Sequence, residues 1–240
     1  MSIKTNKKIC FHHIPKCAGS AFKKDVLGVH YQLVEDYRDR KDRGPLDANG
    51  FGQKYDLSKL KNNQILCGHF EGKLINDNNC SIFKRYPLLA DQSQALVFTM
   101  LRHPLEMCIS MFFFSRRRRN IDLEKQKPEK VYDDLEKFIM NKKNYTKFIF
   151  DIETESQIPE KLTQYAFIGV TEKFEESCQL LAGMINISTS FNQSFFNKTK
   201  RTSAVRDIIN KNYGNLMSAH QEFNDDYSIY NYALNKLKNC

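Results

Sequence analysis

Two segments of this 240-residue chain carry residues at spacings suited to gripping an anion. In the first, Lys8 to Ile14 (KICFHHI) is rich in β-forming residues and is held extended at its end by Pro15. Pro15-Lys-Cys-Ala-Gly-Ser20 then makes a tight loop, and Ser20 to Leu27 shows Ala21, Phe22 and Val26 at helical spacing before a stop at Gly28. A strand that turns sharply into a helix leaves unbonded backbone N–H groups aimed beyond the strand's carboxyl end, a cradle for a phosphate-like group. The loop lacks the Gly-x-x-x-x-Gly-Lys-Ser/Thr form of an ATP-binding loop: Lys16 precedes Gly19, and no hydroxyl residue directly follows the lysine to hold magnesium. That departure argues against an ATP-dependent kinase. In the second segment, the apolar run Gln94 to Leu101 (QALVFTML) ends at Arg102, and His103-Pro104 leads into a helix bearing Ser110. The step from 102 to 110 is close to two helical turns, so Arg102 and Ser110 can address one ligand edge. A serine in this setting can instead satisfy the carbonyl one turn behind it.

These residues need an α/β frame to bring them together. The run ending at Arg102 reads as a central parallel strand covered on both faces, and Leu105 to Phe114, apolar nearly all round, as a helix packed inside the domain. Gln64 to Cys67 is a further short strand ending at Gly68-His69, and Tyr165 to Val170 (YAFIGV) another, with Thr171 as N-cap of a helix from Glu172 to Ile185. Val131 to Met140 is an amphipathic helix, and the chain after Asn197 is helical again. Residues 35 to 55, charged and containing Gly44, Pro45, Gly50 and Gly52, read as an irregular surface insertion. With no repeat or linker, the expectation is one domain over residues 1–240, whose part 197–240 is helical.

Composition excludes several classes. Hydrophobic residues make up 41% of the chain, with 18 Phe and 11 Tyr, enough for a substantial core. The apolar stretch Met100 to Phe114 is broken by Arg102, His103 and Glu106, well short of the roughly 20 uninterrupted residues of a membrane span. Seven cysteines without a CxxC pair suit neither a zinc site nor a disulfide framework, so no metal is expected and reduced buried thiols are. The polar start, Met1 to Lys8, lacks a signal peptide's apolar core, which points to a cytoplasmic protein unless the chain is a truncated Golgi protein. Thirty-seven basic against 28 acidic residues give +9, a field that attracts anions. Arg116 to Arg119 read either as a solvated helix end that complements the dipole or as part of an anion site.

The segments FHHIPKCAGSAF (Phe11 to Phe22), GHF (Gly68 to Phe70), FTMLRHPLEMCIS (Phe98 to Ser110) and FIGVTEKFEESCQLL (Phe167 to Leu181) occur in that order. Together with Asn197 to Thr202 and Asp226 to Ala233, they resemble the carbohydrate sulfotransferases that use 3′-phosphoadenosine 5′-phosphosulfate (PAPS). The likeness is to the family of the heparan sulfate 2-O- and 6-O-sulfotransferases and their small bacterial relatives. It implies an α/β three-layer sandwich with a central, mostly parallel sheet and a P-loop-like phosphosulfate-binding loop. It further implies that Lys16, Cys17, Ala18, Gly19, Ser20 and Ala21 hold the 5′-phosphosulfate, and that Arg102 and Ser110 hold the 3′-phosphate. Lys200, Arg201 and Thr202 are, by the same resemblance, expected to close over that nucleotide. Cys17, Ala21 and His103 depart from the family's usual residues. The implied reaction is in-line transfer of a sulfuryl group to a carbohydrate hydroxyl, with Lys16 stabilising the leaving phosphate and no metal. A sugar hydroxyl needs a general base; His69 is the choice, with Glu71, His13 and His12 in reserve. The alternatives are a PAP- or polyanion-binding protein of the same fold without turnover, and a nucleic-acid-binding module, which accounts for none of the ordered segments.

Overall fold

Fully apolar strands need cover on both faces and polar connections need the rim, and the computed structural model, which describes residues 7–37, 45, 53–70, 81–188, 201–222 and 224–239, meets both requirements. Five strands, β1 (Lys8–His12), β2 (Gln32–Asp36), β3 (Gln64–Gly68), β4 (Ala95–Leu101) and β5 (Phe167–Val170), form one sheet in the order β2-β3-β1-β4-β5. Every pairing is parallel. β1 lies at the centre, its Cys10 and Phe11 buried, with Ile9 opposite both Ile65 and Leu96 and His12 opposite both Gly68 and Thr99. After β1 the chain crosses toward β2 and β3, whereas after β4 it moves to β5, so connections diverge at the β1/β4 boundary. In open parallel sheets, that divergence opens a crevice beyond the strands' carboxyl ends.

Ten α-helical segments flank the sheet in the described residues: α1 (Gly19–Ala21), α2 (Ile82–Arg85), α3 (Pro104–Arg118), α4 (Pro128–Met140), α5 (Tyr145–Ile149), α6 (Ile158–Thr163), α7 (Phe174–Ile185), α8 (Ser203–Lys211), α9 (Tyr213–Gln221) and α10 (Asp226–Lys238). One apolar cluster joins the sheet to α7 and α10 through residues such as Cys178, Leu181, Ile229 and Ala233. A second packs α3 against α4, α8 and α9 through Ile109, Phe112, Leu135, Val205 and Leu216. Pro104 and Pro128 each occupy a first helical turn, where a missing N–H costs nothing.

Three local expectations are corrected. The insertion over residues 35–55 begins too early, because Glu35 and Asp36 complete β2, an edge strand whose Leu33 and Val34 are only partly buried and whose hydrophobic signal is correspondingly weak. Asp36 is buried at the end of β2, where it takes Arg85 Nε at 2.8 Å and Nη2 at 3.2 Å and accepts a hydrogen bond from the Tyr86 hydroxyl. The helix after the first loop continues beyond α1 as a π-helix over Phe22–Leu27, with Gly28 N–H bonded to the Lys23 carbonyl at 2.8 Å. Thr171 does not cap α7: residues Thr171–Lys173 form a 3₁₀ turn, and the Thr171 hydroxyl donates to the Leu101 carbonyl at 2.8 Å, tying together the ends of β4 and β5.

Candidate active site

The site is built where β1 and β4 end. Beyond β1, Lys16 and Ala18 adopt left-handed backbone angles, φ 66° and 57°, on either side of Cys17. Non-glycine residues held there cost roughly 1–3 kcal/mol each and cluster at ligand sites. Ala18 leads directly into α1 without any side-chain cap, so the N–H groups of the opening turn are left to another partner. Gly19 is obligatory for a different reason: a Cβ there would stand 2.0 Å from His13 Cδ2 and 2.4 Å from Nε2. The Cys17 side chain turns away from the cradle into the core, with Sγ 3.7 Å from Met107 Sδ, and burial pushes its thiol well above the usual range. Cys17 can therefore serve a ligand through its backbone alone. Ser20 is exposed and Ala21 partly so.

Helix α3 passes alongside this loop. Met107 touches Cys17, and the Lys16 ammonium rests 4.2 Å from the centroid of the Phe114 ring. Ser110 lies between these two contacts on the same helical stripe, three residues from one and four from the other, and is buried. Ser110 therefore lies on the stripe of α3 whose residues Met107 and Phe114 contact the loop. Arg117 and Arg118 also approach the Phe114 ring, at 5.7 and 5.9 Å. Burial lowers the Lys16 ammonium's pKa, and the neighbouring Arg117 and Arg102 charges lower it further. Arg116 stands apart and pairs with Asp134 at 3.6 Å.

Arg102 reaches both segments. Its Nη1 donates to the Lys16 carbonyl at 3.4 Å and its Nη2 meets Glu106 Oε2 at 3.3 Å, while its buried Nε has no hydrogen-bond partner among the described residues. Arg201 is placed similarly: its guanidinium lies 4.7 Å from the Phe113 ring centroid, its Nε is buried and has no partner among the described residues, and burial with the nearby Arg102 and Arg206 charges lowers its pKa. Two guanidiniums that feel one another's charge, each with a buried donor unused among the described residues, have the chemistry to hold an anion. Thr202 caps α8, its hydroxyl oxygen accepting from Val205 N–H at 3.3 Å, which leaves its own O–H to donate. Lys200 and Glu71 lie outside the described residues.

His69 follows β3 on the loop side of the site, partly exposed. Its Nε2 is 3.2 Å from His13 Nδ1, which is also 2.9 Å from the Tyr37 hydroxyl. His13 and His12 are buried and their basicity is depressed, by burial first and then by neighbouring positive charge, to about 2 and about 3 respectively. Burial thus weakens both imidazoles as proton acceptors. His103 sits between Tyr227 and Tyr230, with ring centroids 5.5 and 5.4 Å away, and its backbone N–H donates to Glu172 Oε1 at 3.1 Å.

Sequence reasoning passed over Glu106, Phe114, Tyr37 and Tyr213. Glu106 was readable as the residue one helical turn from Arg102. It is also the hydrogen-bond partner that, after burial, raises the Tyr213 hydroxyl's pKa to about 12. Phe114 and Tyr37 carry no local signal, because their roles depend on which elements become neighbours. No cluster of three or more His, Cys, Asp or Glu suited to a metal occurs among the described residues, and no helix among them is long and apolar enough to cross a membrane.

No protein-family profile matches the chain, and no curated protein matches it. Solved structures do. The chain is similar to a sulfotransferase from Alicyclobacillus acidocaldarius, at 11% identity and a TM-score of 0.44, over 90% of this chain and 94% of that one. It is likewise similar to a mouse sulfotransferase complexed with PAP, at 12% identity and a TM-score of 0.45, over 96% of this chain and 89% of that one.

Proposed function

We propose that the protein is a PAPS-dependent sulfotransferase acting on a carbohydrate hydroxyl. The observation that carries this reading is that Arg102 neighbours both Lys16 and Arg201, with the Nε donors of both arginines buried and without a partner among the described residues. The residues present fit a nucleotide bearing two separated anionic groups. The uncapped turn at Lys16 to Ala21 would receive the 5′-phosphosulfate, and Arg102, Ser110 and Arg201 would receive the 3′-phosphate. When bound, PAPS supplies an activated sulfuryl group on a phosphate leaving group. Lys16 neutralises charge at that phosphate, for which its ammonium must leave the Phe114 ring. His69 takes the proton from the acceptor hydroxyl, and this partly exposed residue has the access that the buried His12 and His13 lack. Arg117 and Arg118, beside Phe114 and Lys16, provide a cationic rim suited to an acceptor already carrying negative charge. The buried, unpaired thiols of Cys10, Cys17, Cys67, Cys108 and Cys178 suit a reducing cytoplasm, where we place the chain as one functional unit.

The test pairs ligand binding with product formation. PAP and PAPS should raise the thermal midpoint while ATP with magnesium does not, since only a ligand that binds the folded state stabilises it. Radiolabelled PAPS with a panel of glycans should yield sulfated product in the parent, and His69→Ala should reduce turnover about 10² to 10⁴-fold with PAP affinity retained. Equal stabilisation by ATP and PAP would remove the nucleotide assignment.

A further inference from the structure

We propose that Glu106 is a resident counter-ion of the nucleotide site, whose carboxylate loosens the hold of Arg102 and Arg201 on the 3′-phosphate and so speeds release of the product nucleotide. This deepens the reading of that site and rests on it. Glu106 lies in the first turn of α3, where the helix dipole favours a carboxylate, one turn beyond Arg102. Its Oε2 stands 3.3 Å from Arg102 Nη2, with the two side chains 30% and 25% exposed. Between well-exposed partners such a pair is worth little. Here it takes up a guanidinium whose other contacts belong to the site: Nη1 donates to the Lys16 carbonyl at 3.4 Å, and the buried Nε has no partner among the described residues. A guanidinium has five donors, and a phosphate with several oxygens satisfies them better than one carboxylate oxygen does.

The same carboxylate acts on the groups around it. Burial lowers the Arg201 pKa, and Glu106 is the charge that opposes this, against the repulsion of Arg102 and Arg206. After burial, Glu106 is also the largest influence on the Tyr213 hydroxyl, whose pKa rises to about 12. The carboxylate therefore cancels one of the two guanidinium charges. An anion bonded to Arg102 sits about 2.7–2.9 Å from its nitrogens, within a few ångströms of Glu106. If it takes Nη2, the carboxylate must withdraw; if it takes Nε, two negative charges stand side by side on one guanidinium. In both cases binding works against a like charge, which in a partly exposed site weakens it about 10-fold. The 3′-phosphate belongs to PAPS and PAP alike, so a firmer grip on it holds donor and product equally and gains nothing in the transfer step. Product release limits the turnover of many enzymes, and a resident carboxylate keeps that step fast.

The test uses the full chain at pH 7.5. Glu106→Gln removes the charge at nearly constant shape, and Glu106→Ala removes the acceptor oxygens as well. Calorimetry measures affinity for PAP and for 5′-AMP, which lacks the 3′-phosphate, and stopped-flow displacement measures PAP dissociation. Both variants should bind PAP about 10-fold more tightly and release it about 10-fold more slowly, while 5′-AMP affinity stays within about twofold of the parent. Unchanged or weaker PAP binding in both variants would make Glu106 an orienting partner of Arg102 and overturn the proposal. Tightening in the Gln variant alone would mean a new hydrogen bond from the amide, and equal tightening of 5′-AMP a diffuse field; each overturns it too. If neither the folded parent nor the variants bind PAP, the sulfotransferase reading itself fails and takes this proposal with it.

Discussion

Lowering the pH from 7.5 to 5 should remove a large part of the protein's stability, and the structure sets the size of the loss. His12, His13 and His220 are buried, and burial depresses their folded-state pKa values from 6.5 to about 3, about 2 and about 4. The stability they contribute is complete above 6.5 and is lost as pH falls below it, because the unfolded chain then gains protons that the folded one refuses. At pH 5 each histidine costs about 2 kcal/mol, at 1.4 kcal/mol per pH unit. Asp226 acts in the opposite direction: burial raises its carboxyl from 3.8 to about 6 despite hydrogen bonds from Thr146 and Lys147 N–H, so its contribution is full below 3.8 and lost as pH rises through 6. Going to pH 5 returns about 1.4 kcal/mol from that group, leaving a net loss of about 4–5 kcal/mol out of a typical 5–15. Urea unfolding at pH 7.5, 6 and 5 measures this directly, and His220→Gln should remove a little under half of the net slope between pH 6 and 5, because Asp226 offsets part of what the three histidines contribute. A change under about 1 kcal/mol over the whole range, or an unaltered slope in the variant, would refute the assignment of these imidazoles as neutral buried groups.

Four substitutions test the loop and two residues beside it, one directly after β4 and one on α3. Arg102→Ala should weaken PAP binding by about 2–4 kcal/mol and Ser110→Ala by about 1 kcal/mol, measured by calorimetry on folded protein. Gly19→Ala, which forces a methyl into the His13 ring, should lower stability by about 1–3 kcal/mol and abolish the PAP-induced thermal shift. Ala18→Gly should raise stability by up to about 1 kcal/mol, because glycine meets no penalty at φ 57°; a destabilised variant would show that the loop's shape is unstrained.

Much of this arrangement was legible before any coordinates. The apolar run ending at Leu101 had to be a central strand, and Pro104 and Gly28 marked where a helix begins and where one ends. These signals are local, carried by covalent geometry and side-chain periodicity. β2 escaped because an edge strand buries little and alternates weakly. Which histidine does what was equally hidden: KICFHHI shows two adjacent imidazoles, and alternation in a strand sends them to opposite faces, but only the arrival of Phe70, Tyr165, Gly19 and Tyr37 withdraws both from solvent. Arg201 entered by resemblance alone, since its proximity to Arg102 joins residues 99 positions apart.

The strand order also has a consequence for biosynthesis. β1 is made first, yet both of its neighbours, β3 and β4, come later in the chain. At roughly 5–20 residues per second, several seconds pass before Gln64–Gly68 is available, and more before Ala95–Leu101 follows. Throughout that interval a strand whose native side chains are almost all buried has two unpaired edges. Co-translational capture of the nascent chain by a holdase should therefore begin with Lys8–His12 and end once β4 has emerged, and recovery of soluble protein should fall when translation through residues 13 to 101 is slowed.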